Sequence, residues 1–183
     1  MKVAVALTGA SGMAYGLKLL EELKKNGCET YVVMSENARK IMAHETGTHE
    51  HDVKGYATAM YDEHDMESPL ASGSFTYDAL VIVPCSLKTL ACVANGLAMN
   101  LVARAALCCF KEGRKLILVP RETPLDVISL ENMVKAARAG AVILPAMPAF
   151  YHKPETIDDM VGYVVGKILE QLGIPHSLYE KWG

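Results

Sequence analysis

The chain has 183 residues, 51% of them apolar and 21% charged, enough to bury a full core without disulfide or metal staples. Its 18 Lys and Arg against 21 Asp and Glu leave a net charge of −3, which argues against a nucleic-acid binder. No apolar run approaches the roughly 18 residues of a membrane span, and Met1-Lys2-Val3-Ala4-Val5 lacks a signal peptide's separate regions. The expectation is a cytoplasmic protein with one domain over residues 1–183, ending in a short tail at 175–183.

In chain order, residues 3–7 read as a strand and 15–25 as a helix carrying Leu17, Leu19, Leu20 and Leu23. A second strand at 31–34 leads into a helix at about 36–45. The polar stretch 47–74 reads as loop with some helix. Strands follow at 79–83, 116–119 and 141–144, each ended by a proline: Pro84, Pro120 and Pro145. Between them lie helices at 89–110, with a break near Gly96, and at 130–139, closed by Gly140. A last helix opens at Thr156, a good N-cap, has Asp158 and Asp159 in its first turn, and stops at Gly173.

The strand runs are continuously apolar rather than alternating, as in strands buried on both faces. Strands alternating with helices imply right-handed crossovers and a doubly wound parallel sheet, a flavodoxin-like or Rossmann-like α/β/α arrangement. The five cysteines (Cys28, Cys85, Cys92, Cys108, Cys109) show no CxxC pair and read as reduced structural thiols.

Open parallel sheets bind ligands beyond the carboxyl ends of their strands. Those ends carry Thr8-Gly9-Ala10-Ser11-Gly12, Ser35, Pro84-Cys85-Ser86-Leu87-Lys88-Thr89, Pro120-Arg121-Glu122-Thr123-Pro124 and the stretch from Pro145 to Tyr151. Serine and threonine before a helix serve as plain N-caps. Three or four at one edge, with Arg121, point to a phosphorylated ligand at helix N-termini. The glycine spacing is neither GxGxxG nor a P-loop. Glu36 after the second strand leaves a ribose-binding acid open, while a mononucleotide such as a flavin suits the single turn better. His44, His49 and His51 with Glu45, Glu50 and Asp52 read as a solvated surface rather than a metal site, and Gly162 and Gly166 as places of close helix packing.

These blocks resemble the UbiX flavin prenyltransferases: Thr8-Gly9-Ala10-Ser11-Gly12 with Tyr15-Gly16, Ala71-Ser72-Gly73-Ser74, and Pro84-Cys85-Ser86-Leu87-Lys88-Thr89-Leu90. So do Asn100-Leu101 with Arg104-Ala105-Ala106, Lys111-Glu112, Val119-Pro120-Arg121-Glu122-Thr123-Pro124, Leu130-Glu131-Asn132-Met133, Gly140-Ala141-Val142-Ile143-Leu144-Pro145 and Phe150-Tyr151. The resemblance implies a homododecamer with active sites between subunits. It implies transfer of the dimethylallyl group of dimethylallyl monophosphate to reduced FMN, without metal, the prenylated flavin serving a UbiD-type decarboxylase. By the same resemblance, FMN is held by Gly9, Ala10, Ser11, Ser35, Ser86, Leu87, Lys88, Thr89 and Arg121, with Arg104 adding positive charge. The allylic phosphate would meet Lys111, Arg121, Tyr151 and Lys167; Glu122 would transfer protons, with Ser11 and Lys111 also in catalytic positions. Lys167 stands where many relatives carry Arg, which keeps the charge and loses the bidentate fork. Two other readings remain open: a flavin-dependent decarboxylase acting directly on its substrate, and a non-enzymatic flavin carrier.

Overall fold

A computed structural model describes residues 1–182, so Gly183, the end of the expected tail, lies outside the described residues. Its strands are β1 (Lys2–Leu7), β2 (Glu29–Met34), β3 (Ala59–Asp62), β4 (Ala79–Cys85), β5 (Lys115–Pro120) and β6 (Val142–Ile143). Its helices are α1 (Met13–Lys25), α2 (Glu36–Thr46), α3 (Glu50–Val53), α4 (Leu87–Ala94), α5 (Leu101–Glu112), α6 (Val127–Arg138) and α7 (Ile157–Leu172). All strands are parallel, in the order β3-β2-β1-β4-β5-β6. The doubly wound sheet is therefore as the apolar runs predict, with one strand more than expected.

Period-two geometry explains those runs, because alternate residues of one strand feed opposite cores. Val3, Val5 and Leu7 of β1 pack with Val32, Val81 and Val119 under α1 and α7. Ala4 and Ala6 pack on the other face with Val33, Leu80, Ile82 and residues of α4, α5 and α6. Gly16 lets α1 lie close against the sheet, since a Cβ there would meet the Leu7 side chain and stand 2.9 Å from the Val83 carbonyl.

Several boundaries depart from expectation for identifiable reasons. β3 lies inside the polar stretch 47–74; its residues are only partly covered, so no apolar run marks it. β4 continues through Pro84 to Cys85, because the Pro84 carbonyl accepts the Thr8 hydroxyl at 2.7 Å and the register shifts between Ile82 and Cys85. The break expected near Gly96 within 89–110 is present, α4 ending before Gly96 in the left-handed region (φ 71°) and α5 opening on the Asn100 cap, while α4 starts earlier than expected, at Leu87, because Ser86 caps it. Gly162 and Gly166 receive the tail rather than another helix: Cβ atoms there would stand 3.2 Å from the Leu178 carbonyl and 2.7 Å from the His176 ring.

Candidate functional site

The strand order reverses between β1 and β4, which opens a crevice beyond their carboxyl ends. Thr8 joins the two ends: it bonds Pro84 as above and accepts the Ser86 N–H at 2.8 Å. Ser86 caps α4, accepting the Thr89 N–H at 3.3 Å and donating its hydroxyl to the Thr89 hydroxyl at 3.0 Å. Ser35 caps α2 by accepting the Ala38 N–H at 3.1 Å. The crevice has a volume of about 260 Å³ and is lined by Thr8, Gly9, Ser35, Ser86, Lys88 and Thr89, among others. Gly9 has no room for a side chain, as a Cβ would stand 2.7 Å from Asn37 Cβ.

The helix N-termini at this edge are not equivalent. At α1 the Glu45 carboxylate accepts the Gly12 N–H at 3.0 Å and the Met13 N–H at 2.9 Å. Glu45 was expected on a solvated surface; although exposed, it is committed to the first glycine turn. Burial would raise its carboxyl, but the Ser11 hydroxyl, the two amides and Arg121 outweigh that and hold it below the ordinary carboxylate range. At α2 the Glu63 carboxylate accepts the Glu36 N–H at 2.6 Å and the Asn100 side-chain N–H at 2.7 Å. Glu36, the candidate ribose acid, is held below its usual value by the Lys40 ammonium at 2.6 Å. Among the described residues, α4 alone of the three has no carboxylate on its first-turn amides, and Lys88 stands beside it. That end is where an incoming anion meets the least competition.

Arg121 follows β5 at the same edge, near Gly12, Tyr15 and Glu45. Burial raises the Tyr15 phenol and Arg121 opposes that rise. Glu122 is exposed, and its own carboxylate accepts the Thr123 N–H at 3.1 Å.

The other predicted residues lie elsewhere on the chain. Arg104 and Lys111, on α5, line a polar pocket of about 550 Å³ with Ser72, Gly73 and Ser74. Arg104 donates to the Ala71 carbonyl at 2.9 Å and Lys111 pairs with Glu112. Lys111 closes α5 just before β5 begins, at the amino edge of the sheet, whereas Arg121 follows the end of β5. A strand of that length puts roughly 20 Å between those two edges.

Tyr151 and Lys167 form a third group beside α7. Both contact Tyr163, at 5.8 Å between rings and 5.7 Å from ammonium to ring. The Tyr179 ring lies 5.3 Å from the Lys167 ammonium and Trp182 meets Tyr151 edge-on at 5.5 Å. Lys115 bonds the Gln171 carbonyl, so α7 ends at the amino edge and Lys167 lies one turn above it. The expected phosphate ligands Lys111, Arg121, Tyr151 and Lys167 are thus divided among three places on one chain. The histidine-rich segment holds ordinary surface contacts, His51 with Asp52 at 3.2 Å and Arg39 with Glu50 at 2.8 Å.

A family model described as Flavoprotein matches residues 1–169. The chain belongs to the Flavoprotein family. Within it, the chain is 46% identical over 183 residues to "Flavin prenyltransferase UbiX" of Methanocaldococcus jannaschii, covering 100% of this chain and 99% of that relative. Its fold matches a dodecameric FMN-dependent UbiX-like decarboxylase from Escherichia coli O157:H7 with a TM-score of 0.97 and 44% identity, over 100% of both chains. It also matches AnUbiX in complex with FMN and dimethylallyl pyrophosphate, with a TM-score of 0.97 and 41% identity, over 100% of this chain and 97% of that one. Glu63, which lines the crevice, and Glu45, which holds the first glycine turn, are not among the expected site residues.

Proposed function

We propose that this flavoprotein is a flavin prenyltransferase, transferring a dimethylallyl group from dimethylallyl monophosphate to reduced FMN. The observation that carries the reading is the crevice at the β1/β4 reversal, where two capping serines, a side-chain-free Gly9 and an uncompensated helix end beside Lys88 meet. That donor set fits a flavin mononucleotide: a phosphate at residues 86–89, the ribityl chain past Ser35, and the ring system at residues 9–11 beside Arg121. Resemblance over the full chain to flavin prenyltransferases, one bound to FMN and an allylic diphosphate, supports the same assignment.

Bound reduced flavin would supply the electron-rich nitrogen and ring carbon that accept the allyl group. The chain's own residues bind, orient and move protons. Loss of phosphate from an allylic ester leaves charge on both fragments, and cations stabilise the departing phosphate. Lys111, Arg121 and Lys167 supply that charge and Tyr151 a phenol, so magnesium is not required. A second bond to the ring requires removal of a proton, which suits Glu122 and the Ser11–Glu45 hydroxyl–carboxylate pair.

The three stations of one chain meet only if copies assemble. One copy provides the crevice with Arg121, a second Lys111 with residues 72–74, and a third Tyr151 with Lys167; the dodecameric relative supports this arrangement. The product is passed to a separate UbiD-type decarboxylase. The test is anaerobic incubation with FMN, a reductant and dimethylallyl monophosphate, followed by mass spectrometry of the flavin. A flavin heavier by one dimethylallyl unit is the expected product. Unchanged FMN despite saturable binding would favour a carrier or a direct decarboxylase.

A further inference from the structure

Lys167 is not a free cation. Its ammonium lies 3.0 Å from Glu170 Oε2, one turn along α7. Glu170 does not depend on that lysine for its own neutralisation. Its Oε1 accepts the Tyr179 hydroxyl at 2.7 Å and lies 3.4 Å from Lys181 Nζ and 3.5 Å from His176 Nε2. All three partners belong to the tail that follows α7, which Gly166 admits against the helix.

We propose that Glu170 is the specificity-determining residue for the phosphate end of the substrate: a resident counter-ion on Lys167 that makes the site prefer a phosphomonoester to a diphosphate. The inference rests on the reading of Lys167 as a phosphate-binding cation.

Two physical points carry it. An incoming phosphate must draw Lys167 away from Glu170, or share it. The exchange is inexpensive because the Tyr179 hydroxyl and the Lys181 ammonium still hold the carboxylate, so no charge is left unpaired. A lysine suits it better than an arginine would, since a point charge on a flexible stem can swing between two anions whereas a fork stays paired. The carboxylate, however, remains within one helical turn of the bound anion. Its repulsion grows with the anion's charge, so a diphosphate is disfavoured more than a monoester. Burial opposes ionisation of Glu170, but Tyr179 and Lys167 outweigh it and hold the carboxyl down at about 2, so its charge is present throughout the working range.

The test uses the FMN-loaded enzyme with dimethylallyl monophosphate as substrate and inorganic phosphate and inorganic diphosphate as competing inhibitors. Glu170→Gln keeps an acceptor for Tyr179 and removes the charge. It should lower KM for the monophosphate by about three- to tenfold with little change in kcat. It should tighten inhibition by diphosphate more than inhibition by phosphate. Tyr179→Phe, which loosens the tail but leaves the carboxylate, should leave the ratio of the two inhibition constants unchanged. Lys167→Ala should raise KM and abolish the effect of Glu170→Gln in the double variant. An unchanged inhibition ratio in Glu170→Gln, with KM raised in Lys167→Ala, overturns the role of Glu170 alone. A ratio that moves equally in Tyr179→Phe overturns it in favour of tail packing. A Lys167→Ala enzyme with unaltered KM overturns the underlying assignment of Lys167 and the inference with it.

Discussion

Glu45→Gln separates a structural carboxylate from a solvated one by its dependence on pH. Glu45 accepts two α1 amides, at 3.0 and 2.9 Å, and the Ser11 hydroxyl. Both amides share Oε2, so glutamine can keep that acceptor, but it turns charge-assisted bonds into neutral ones and puts an NH2 where Oε1 also accepts the Gly12 N–H at 3.2 Å. With the group exposed to water, the expected loss at neutral pH is about 1–2 kcal/mol. For a chain of this length that lowers Tm by roughly 2–8 °C. The folded carboxyl lies below its ordinary value of 4.5, so its contribution is complete above that value and fades as pH falls through the folded one. Thermal unfolding of both proteins from pH 7 to pH 3 should therefore show two curves that converge in acid. A difference that stays constant with pH, or none at neutral pH, would refute the account of Glu45 as the anion at the α1 N-terminus.

Gly16→Ala should destabilise the protein, because a methyl 2.9 Å from the Val83 carbonyl is opposed by backbone. The net loss should be about 1–2 kcal/mol after the helical gain of alanine is subtracted, and an unchanged or raised Tm in calorimetry would contradict the close packing of α1. Lys88→Ala should weaken FMN by about tenfold or more, with a shallower salt dependence, whereas riboflavin without its phosphate should bind the variant and the parent alike. Equal losses for both ligands in fluorescence titration would remove the phosphate from α4. Chelator-treated enzyme should retain its prenylation rate without added magnesium; a restored rate only on addition of a divalent ion would overturn the cation-based account of phosphate departure.

The parts legible in the sequence were those whose signal is local. Continuous apolar runs betray β1, β2, β4 and β5 because neighbours on both faces demand them. Ser35, Ser86 and Thr156 each announce a helix by capping it within three residues, whereas the Asn100 cap of α5 came only with the structure. β3 escaped because a four-residue edge strand that is only partly covered carries no long apolar run, and β4 runs past its proline where the Thr8 hydroxyl, just beyond β1, donates to the Pro84 carbonyl. Glu45 and Glu63 carry no local signal at all: their amide partners lie 33 and 27 residues away, so only the folded chain shows which helix ends are already neutralised. The resemblance implied a site shared between subunits but not how the phosphate ligands spread, since the residue list of a motif does not say which edge of the sheet each ligand occupies.

That spread gives the most direct measurement of the central claim, that one chain carries the pieces of a site completed by its neighbours. Arg121→Ala and Lys111→Ala each remove one piece, and within one chain these pieces stand at opposite edges of β5. The two inactive proteins are co-assembled, mixed oligomers are verified by native mass spectrometry, and prenylated flavin is measured. Sites that draw an intact Arg121 from one copy and an intact Lys111 from another should restore product formation. Mixed oligomers no more active than either variant alone would contradict it.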